Sequence, residues 1–130
     1  MYETNRNAIR RQTMNNEIEV GEYVRTKSGI IIKADFIDFE RLTISQKGLG
    51  WDFEDVEEME DFIENEIVKH SKIKSEIVEV GDYVNGKLIH KIDKGTNYCY
   101  LYYGNCKTFV DYQIKSIVTK EAFKEIEYVF

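Results

Sequence analysis

A hexapeptide that occurs twice constrains this chain more than any other feature. Glu19-Val20-Gly21-Glu22-Tyr23-Val24 recurs sixty residues later as Glu79-Val80-Gly81-Asp82-Tyr83-Val84. A Val-Gly-acid-Tyr-Val segment reads as a turn entering a strand: glycine takes positive φ without steric cost, and the Tyr and Val that follow point to opposite faces. Each copy continues into a short polar stretch with a glycine, Thr26-Lys27-Ser28-Gly29 in the first and Asn85-Gly86-Lys87 in the second, and then into an apolar strand. The chain therefore reads as two related β-units.

Composition supports sheet. Sixteen Ile, ten Val and seven Thr stand against four Leu and three Ala, so the apolar material is mostly β-branched and suits pleated strands. Proline is absent, which leaves the turns to Gly, Asn, Asp and Ser. With 130 residues the chain makes one compact domain, or two very small ones sharing an interface.

The second unit can be followed strand by strand. After Tyr83-Val84 come Leu88–Ile92, a turn at Lys94-Gly95-Thr96-Asn97, Tyr98–Tyr103, a turn at Gly104-Asn105, Thr108–Tyr112 and Ile114–Val118. Alternation puts Tyr98, Tyr100 and Tyr102 on one face of a strand and Cys99, Leu101 and Tyr103 on the other. Thr119 caps a short helical turn over Lys120–Lys124, and Ile126–Phe130 reads as a closing strand. Four strands, a helical turn and a fifth strand are the order of a small SH3-like barrel.

The first unit is partial, with strands at Tyr23–Arg25, Gly29–Ile37 and Phe39–Ser45. Between the units the spacing of Phe53, Val56, Met59 or Glu60, Ile63 and Ile67 predicts an amphipathic helix. It begins at Trp51-Asp52 with Asp52 as N-cap and has Lys69 and His70 at its C-terminal end. The expected fold is α+β, mostly β: a mobile basic arm (1–16), a first β-unit (17–50), the acidic helix (51–70) and a second SH3-like β-unit (76–130).

Charge is the strongest functional hint. Nine acids and no Lys or Arg lie between Asp52 and Glu66, so eighteen basic residues against the fifteen other acids leave the rest of the chain near +3, and the net −6 resides on one element. Like charges at i and i+4, as in Glu54–Glu58 and Glu57–Asp61, repel by a few tenths of a kcal/mol per pair, about 0.2–0.5. Their relief comes either from basic residues of the β-units or from a basic partner. A solvated helix face is the bland reading. The functional one is a row of carboxylates that occupies a basic partner, such as a channel that normally holds a nucleic-acid backbone, with Glu54, Asp55, Glu57, Glu58 and Asp61 as contacts.

The second candidate surface is the tyrosine cluster, with Tyr100 and Tyr102 foremost, since tyrosine supplies interface area at low entropic cost. Lys87, Lys91, Lys94 and Lys107 lie nearby in sequence, but a pI near 5.0 argues against direct DNA binding.

Catalytic signals are missing. His70 and His90 are the two histidines, one read as a helix-end surface residue and the other as a solvent-facing strand residue. No Ser or Cys sits in a nucleophile motif, Cys99 and Cys106 lack the tight spacing of zinc ligands, and no glycine-rich phosphate loop occurs. The expectation is a non-enzymatic protein with neither metal nor cofactor. No apolar run approaches the ~20 residues of a membrane span, the start Met-Tyr-Glu-Thr-Asn is unlike a secretory signal, and two cysteines suit a reducing compartment, so the expected location is cytoplasmic.

Three segments carry a resemblance: Lys69-His70-Ser71-Lys72, Val78-Glu79-Val80-Gly81-Asp82-Tyr83-Val84-Asn85-Gly86 and Ile114-Lys115-Ser116-Ile117-Val118-Thr119-Lys120-Glu121. They resemble a family of small uncharacterised proteins carried by phages and prophages of Firmicutes, from Ile18 to Phe130 and more specifically in the second half. The resemblance implies a phage accessory protein that binds and blocks a host component, including anti-CRISPR or other anti-defence inhibition. The acidic Trp51–Ile67 stretch departs from the family. The alternative role is an SH3-like module that binds a small ligand, peptide or nucleic acid during phage replication.

Overall fold

The computed structural model describes residues 17–126, and their fold is mostly β, built from four three-stranded antiparallel sheets. In the first half, β1 (Tyr23–Thr26) is the centre of a sheet between β2 (Ile31–Lys33) and β6 (Ile67–Ser71). A meander of β3 (Phe36–Asp38), β4 (Thr43–Gln46) and β5 (Leu49–Asp52) forms the second sheet. Helix α1 (Val56–Asp61) follows and runs directly into a π-helical turn at Phe62–Glu66.

The second half repeats this order. β7 (Tyr83–Val84) lies between β8 (Lys87–Leu88) and β12 (Ile117–Val118), and β9 (Lys91–Lys94), β10 (Cys99–Gly104) and β11 (Lys107–Phe109) form the meander. A 3-10 turn at Asp111–Gln113 stands where the first half has α1. Helix α2 (Lys120–Ile126) follows β12.

The repeated hexapeptide makes the same turn twice. Gly21 and Gly81 have φ of 94° and 101°, a region costly for any side chain with a Cβ. Gly21 N donates to Ala34 O and Gly81 N to Ile89 O, each at 2.8 Å. The acid after each glycine turns back onto the start of its motif: Glu19 N donates to Glu22 Oε1 at 2.6 Å, and Glu79 N to Asp82 Oδ2 at 2.7 Å. Val24 and Val84 are fully buried, each in the core of its own half.

There are two cores. Ile18, Val24, Ile32, Ala34, Ile44, Met59, Ile63 and Ile67 form one, with Trp51, Phe53 and Phe62 packed against it. Val78, Val84, Ile89, Leu101 and Ile114 form the other. The helix therefore belongs to the first unit and closes its core with Met59 and Ile63. It is not a free connector between the units.

The structure corrects several expectations. Trp51 and Asp52 are in β5, paired with Ile44 and Thr43, so the helix starts four residues later, with Asp55 as its N-cap. Its C-terminal end is also shorter than 51–70, because Ile67–Ser71 pairs antiparallel with β1. The first unit is not partial, since β5 and β6 complete the same strand order as the second. Gly29–Ile37 and Leu88–Ile92 are each divided into two strands, and the hairpin turn after β10 falls at Asn105-Cys106, with Cys106 at φ 57°. Among the described residues no sheet closes into a barrel. Ile126 continues α2 instead of beginning a strand. The expectations for the 1–16 arm and for residues 127–130 lie outside the described residues. No described helix is long and apolar enough to cross a membrane.

Candidate functional site

The acidic helix is positioned by its own carboxylates. Glu58 N donates to Asp55 Oδ1 at 2.7 Å, and Glu54 N donates to Glu58 Oε2 at 2.9 Å, so two acids satisfy amides at the helix start. Asp61 accepts from Asn65 Nδ2 at 2.6 Å. Burial of Val56, Met59 and Ile63 turns the opposite side outward, and Glu54, Asp55, Glu57, Glu58 and Asp61 are all exposed, as are Asp52, Glu64 and Glu66. Glu60 is the exception, buried beside Met59. No described Lys or Arg forms an ion pair with Asp52, Glu54, Asp55, Glu58, Asp61 or Glu66, and the cations of the β-units go elsewhere.

Three cations, Arg25, Lys69 and Lys120, converge between the two units. Arg25 on β1 is fully buried and donates through Nη1 and Nη2 to both carboxylate oxygens of Asp82. Nη1 also reaches Ile77 O at 3.0 Å and Nη2 reaches Glu121 Oε1 at 2.7 Å. Glu79 lies 3.8 Å from Arg25 Nε, 3.7 Å from Lys69 Nζ and 2.7 Å from Lys120 Nζ. Burial alone would favour a neutral guanidine. The hydrogen bonds to Asp82 and Glu121, together with the charges of Asp82 and Glu79, more than offset it and raise the Arg25 pKa above its ordinary value. Burial would likewise raise Glu79, but the Lys120 hydrogen bond and the neighbouring cations hold it below the usual carboxylate range.

Asp82 uses its full acceptor capacity, taking Arg25 Nη1 and Nη2, the Glu79 amide and, at 3.0 Å, the Lys120 amide. Sequence reasoning missed this cluster. The available signal was Arg25 itself, a charged residue directly after the inward Val24 of a strand. Arg25 Nε alone among the guanidinium nitrogens lacks a hydrogen bond, with Glu79 Oε2 3.8 Å away, and the dense pairing of the other groups suits a structural joint.

On β10, Leu101 is buried while Cys99 and Tyr103 pack against the second core. Tyr98, Tyr100 and Tyr102 therefore face outward, as the alternation predicts. Lys91 Nζ sits 5.2 Å from the Tyr102 ring centroid. Tyr98 and Tyr100 stack obliquely, with centroids 5.4 Å apart, and help line a groove of about 640 Å³ with Ile73, Glu76, Asp111 and Tyr112. Tyr102 is not part of that lining.

The histidines divide. His90 is exposed, whereas His70 belongs to β6 and not to a helix end, with Nδ1 3.0 Å from Glu22 Oε2. Both thiols are free, Cys106 exposed and Cys99 half-buried. Among the described residues no group of His, Cys, Asp and Glu is arranged to hold a metal ion. Comparisons with protein-family models, curated proteins and solved structures gave no match.

Proposed function

We propose that this is a non-enzymatic binding protein that occupies a basic surface of a host protein with its acidic helix. The observation that carries this reading is the row of outward carboxylates on α1 and its flanks. Such a face, about 16 Å long over eleven residues at 1.5 Å each, competes with a nucleic-acid backbone for a basic channel. The resemblance to phage and prophage proteins supplies the setting: a phage-encoded inhibitor of a host defence effector, of the anti-CRISPR kind. The strand order, given twice, supports two SH3-like units as the scaffold, with the helix inserted in the first where the second has a 3-10 turn.

The test neutralises charge without removing the helix cap. Glu54→Gln, Asp55→Asn, Glu57→Gln, Glu58→Gln and Asp61→Asn are combined, since Asn caps a helix as well as Asp does. Immobilised wild-type protein should capture one large basic effector from bacterial host extract at about 50 mM salt and lose most of it by about 200 mM. Added wild-type protein should also displace double-stranded DNA from the captured effector. The amide variant should do neither. Capture that ignores salt, or an amide variant as competent as wild type, rejects the reading.

A further inference from the structure

The groove on the second unit has features that the acidic helix does not explain. Its walls are aromatic: Tyr98 just before β10, Tyr100 on β10 and Tyr112 from the 3-10 turn, exposed to 47%, 39% and 78%. Its charged lining residues are both acids, Glu76 and Asp111. Glu76 is held below the ordinary carboxylate range by a hydrogen bond from Ser71 Oγ and by Lys94, whose Nζ is 3.4 Å away at the rim. Asp111 Oδ1 accepts from Ser75 N at 2.7 Å, which fixes the carboxylate, and none of the ion pairs among the described residues includes it. Glu76 is thus matched by Lys94, while the Asp111 charge is unmatched beside three tyrosines.

The aromatic wall is built into the fold. Tyr98 lies directly over Gly95, where an added Cβ would come within 2.1 Å of ring atom Cε1, and Gly95 N donates to Tyr98 O at 2.9 Å. Only a residue without a side chain lets the ring lie there. The same strand face already accepts a cation from its own chain, Lys91 over Tyr102, and no described cation lies over Tyr98 or Tyr100.

We propose that this groove binds an arginine side chain presented by an extended segment of a partner protein. A guanidinium is planar, stacks on a tyrosine face and donates in parallel to a carboxylate, so one side chain answers both the Tyr98–Tyr100 wall and Asp111. The site lies on the second unit and does not depend on the acidic helix.

The probe is the pentapeptide acetyl-Gly-Ser-Arg-Ser-Gly-amide, titrated into the full chain and followed by amide chemical shifts. Its citrulline analogue, of the same shape without the charge, is the control. Shifts should concentrate at 95–100 and 110–112 and saturate in the millimolar range, with at least tenfold weaker binding for the citrulline peptide. Tyr112→Ala and Asp111→Asn should each weaken binding several-fold, and Gly95→Ala should do so by displacing the Tyr98 ring. The amide variant of the acidic helix should bind the peptide as wild type does. Equal binding of the citrulline peptide, full binding by Tyr112→Ala and Asp111→Asn, or loss of binding in the helix variant overturns the proposal. Tetramethylammonium bound as tightly as the arginine peptide also overturns it, since the site would then select a bulky ammonium over a planar donor.

Discussion

Arg25 and Asp82 face each other across the joint between the two β-units, guanidinium against carboxylate, with both side chains fully withdrawn from solvent. They come from equivalent regions of the repeated motif: Asp82 is the acid inside the second copy, and Arg25 directly follows the first. In the first copy the corresponding acid, Glu22, faces His70 instead. One duplicated turn thus serves two purposes, and the acid of its second copy binds the arginine that follows the first.

Removing one partner of that pair leaves the other charged and buried. Arg25→Met and Asp82→Leu should each cost about 3–5 kcal/mol in urea unfolding, whereas the double variant should recover much of the loss. A double variant whose cost equals the sum of the two singles would show that the side chains are not coupled.

Gly29 and Gly86 separate backbone strain from close approach. Both have positive φ, 90° and 78°. A Cβ at Gly29 would meet Thr119 Oγ1 at 2.3 Å, Glu121 Cβ at 2.8 Å and Ala122 N at 3.0 Å, while one at Gly86 meets nothing within 4 Å. Gly86→Ala should therefore cost only the left-handed penalty, about 1–2 kcal/mol. Gly29→Ala should cost clearly more, because it also pushes α2 off the first unit, where Thr119 Oγ1 donates to Gly29 O at 2.7 Å. Similar melting temperatures for the two variants would refute this docking.

Acid should loosen the joint. Against burial, which raises it, the Lys120 hydrogen bond and nearby cations lower the Glu79 pKa, so its folded value lies below its ordinary one of 4.5. A depressed carboxylate contributes stability that is present above the unfolded pKa and is lost as pH falls through the folded value. Thermal melts should decline below about pH 4.5, and Glu79→Gln should be less stable at neutral pH with a shallower decline in acid. Parallel curves for the two proteins would remove Glu79 from the account.

The helix cap can be checked apart from any partner. Asp55→Ala should cost about 1 kcal/mol and Asp55→Asn close to nothing, since both Asp and Asn side chains accept from the Glu58 amide. Charge reversal to Lys should be worse than Ala because it also places a cation at the positive end of the helix. An Asp55→Lys variant as stable as wild type would contradict the cap geometry.

Much of this fold depends on a few neighbouring residues and is legible in the chain alone. Gly21 and Gly81 had to turn the chain, Val24 and Val84 had to go inward, Tyr98, Tyr100 and Tyr102 had to share a face, and Thr119 caps α2 through the Ala122 amide. Each follows from glycine's free φ, from the two-residue period of a strand or from one side chain's reach. Tertiary structure decided the rest. Asp52 and Asp55 are both competent helix caps, and the choice fell to Asp55 because Leu49–Asp52 found backbone partners in Thr43–Gln46. Ile67–Ser71 could end a helix or make a strand, and β1 drew it into the sheet. Arg25 meets Asp82 fifty-seven residues away, a contact that no local propensity encodes. Asp111 and Tyr112 likewise reach Tyr98 and Tyr100 only because β11 returns beside β10 and aims the 3-10 turn at the same groove. Short-range sterics act within a few residues, whereas a burial site or a buried charge's partner exists only once distant strands have paired.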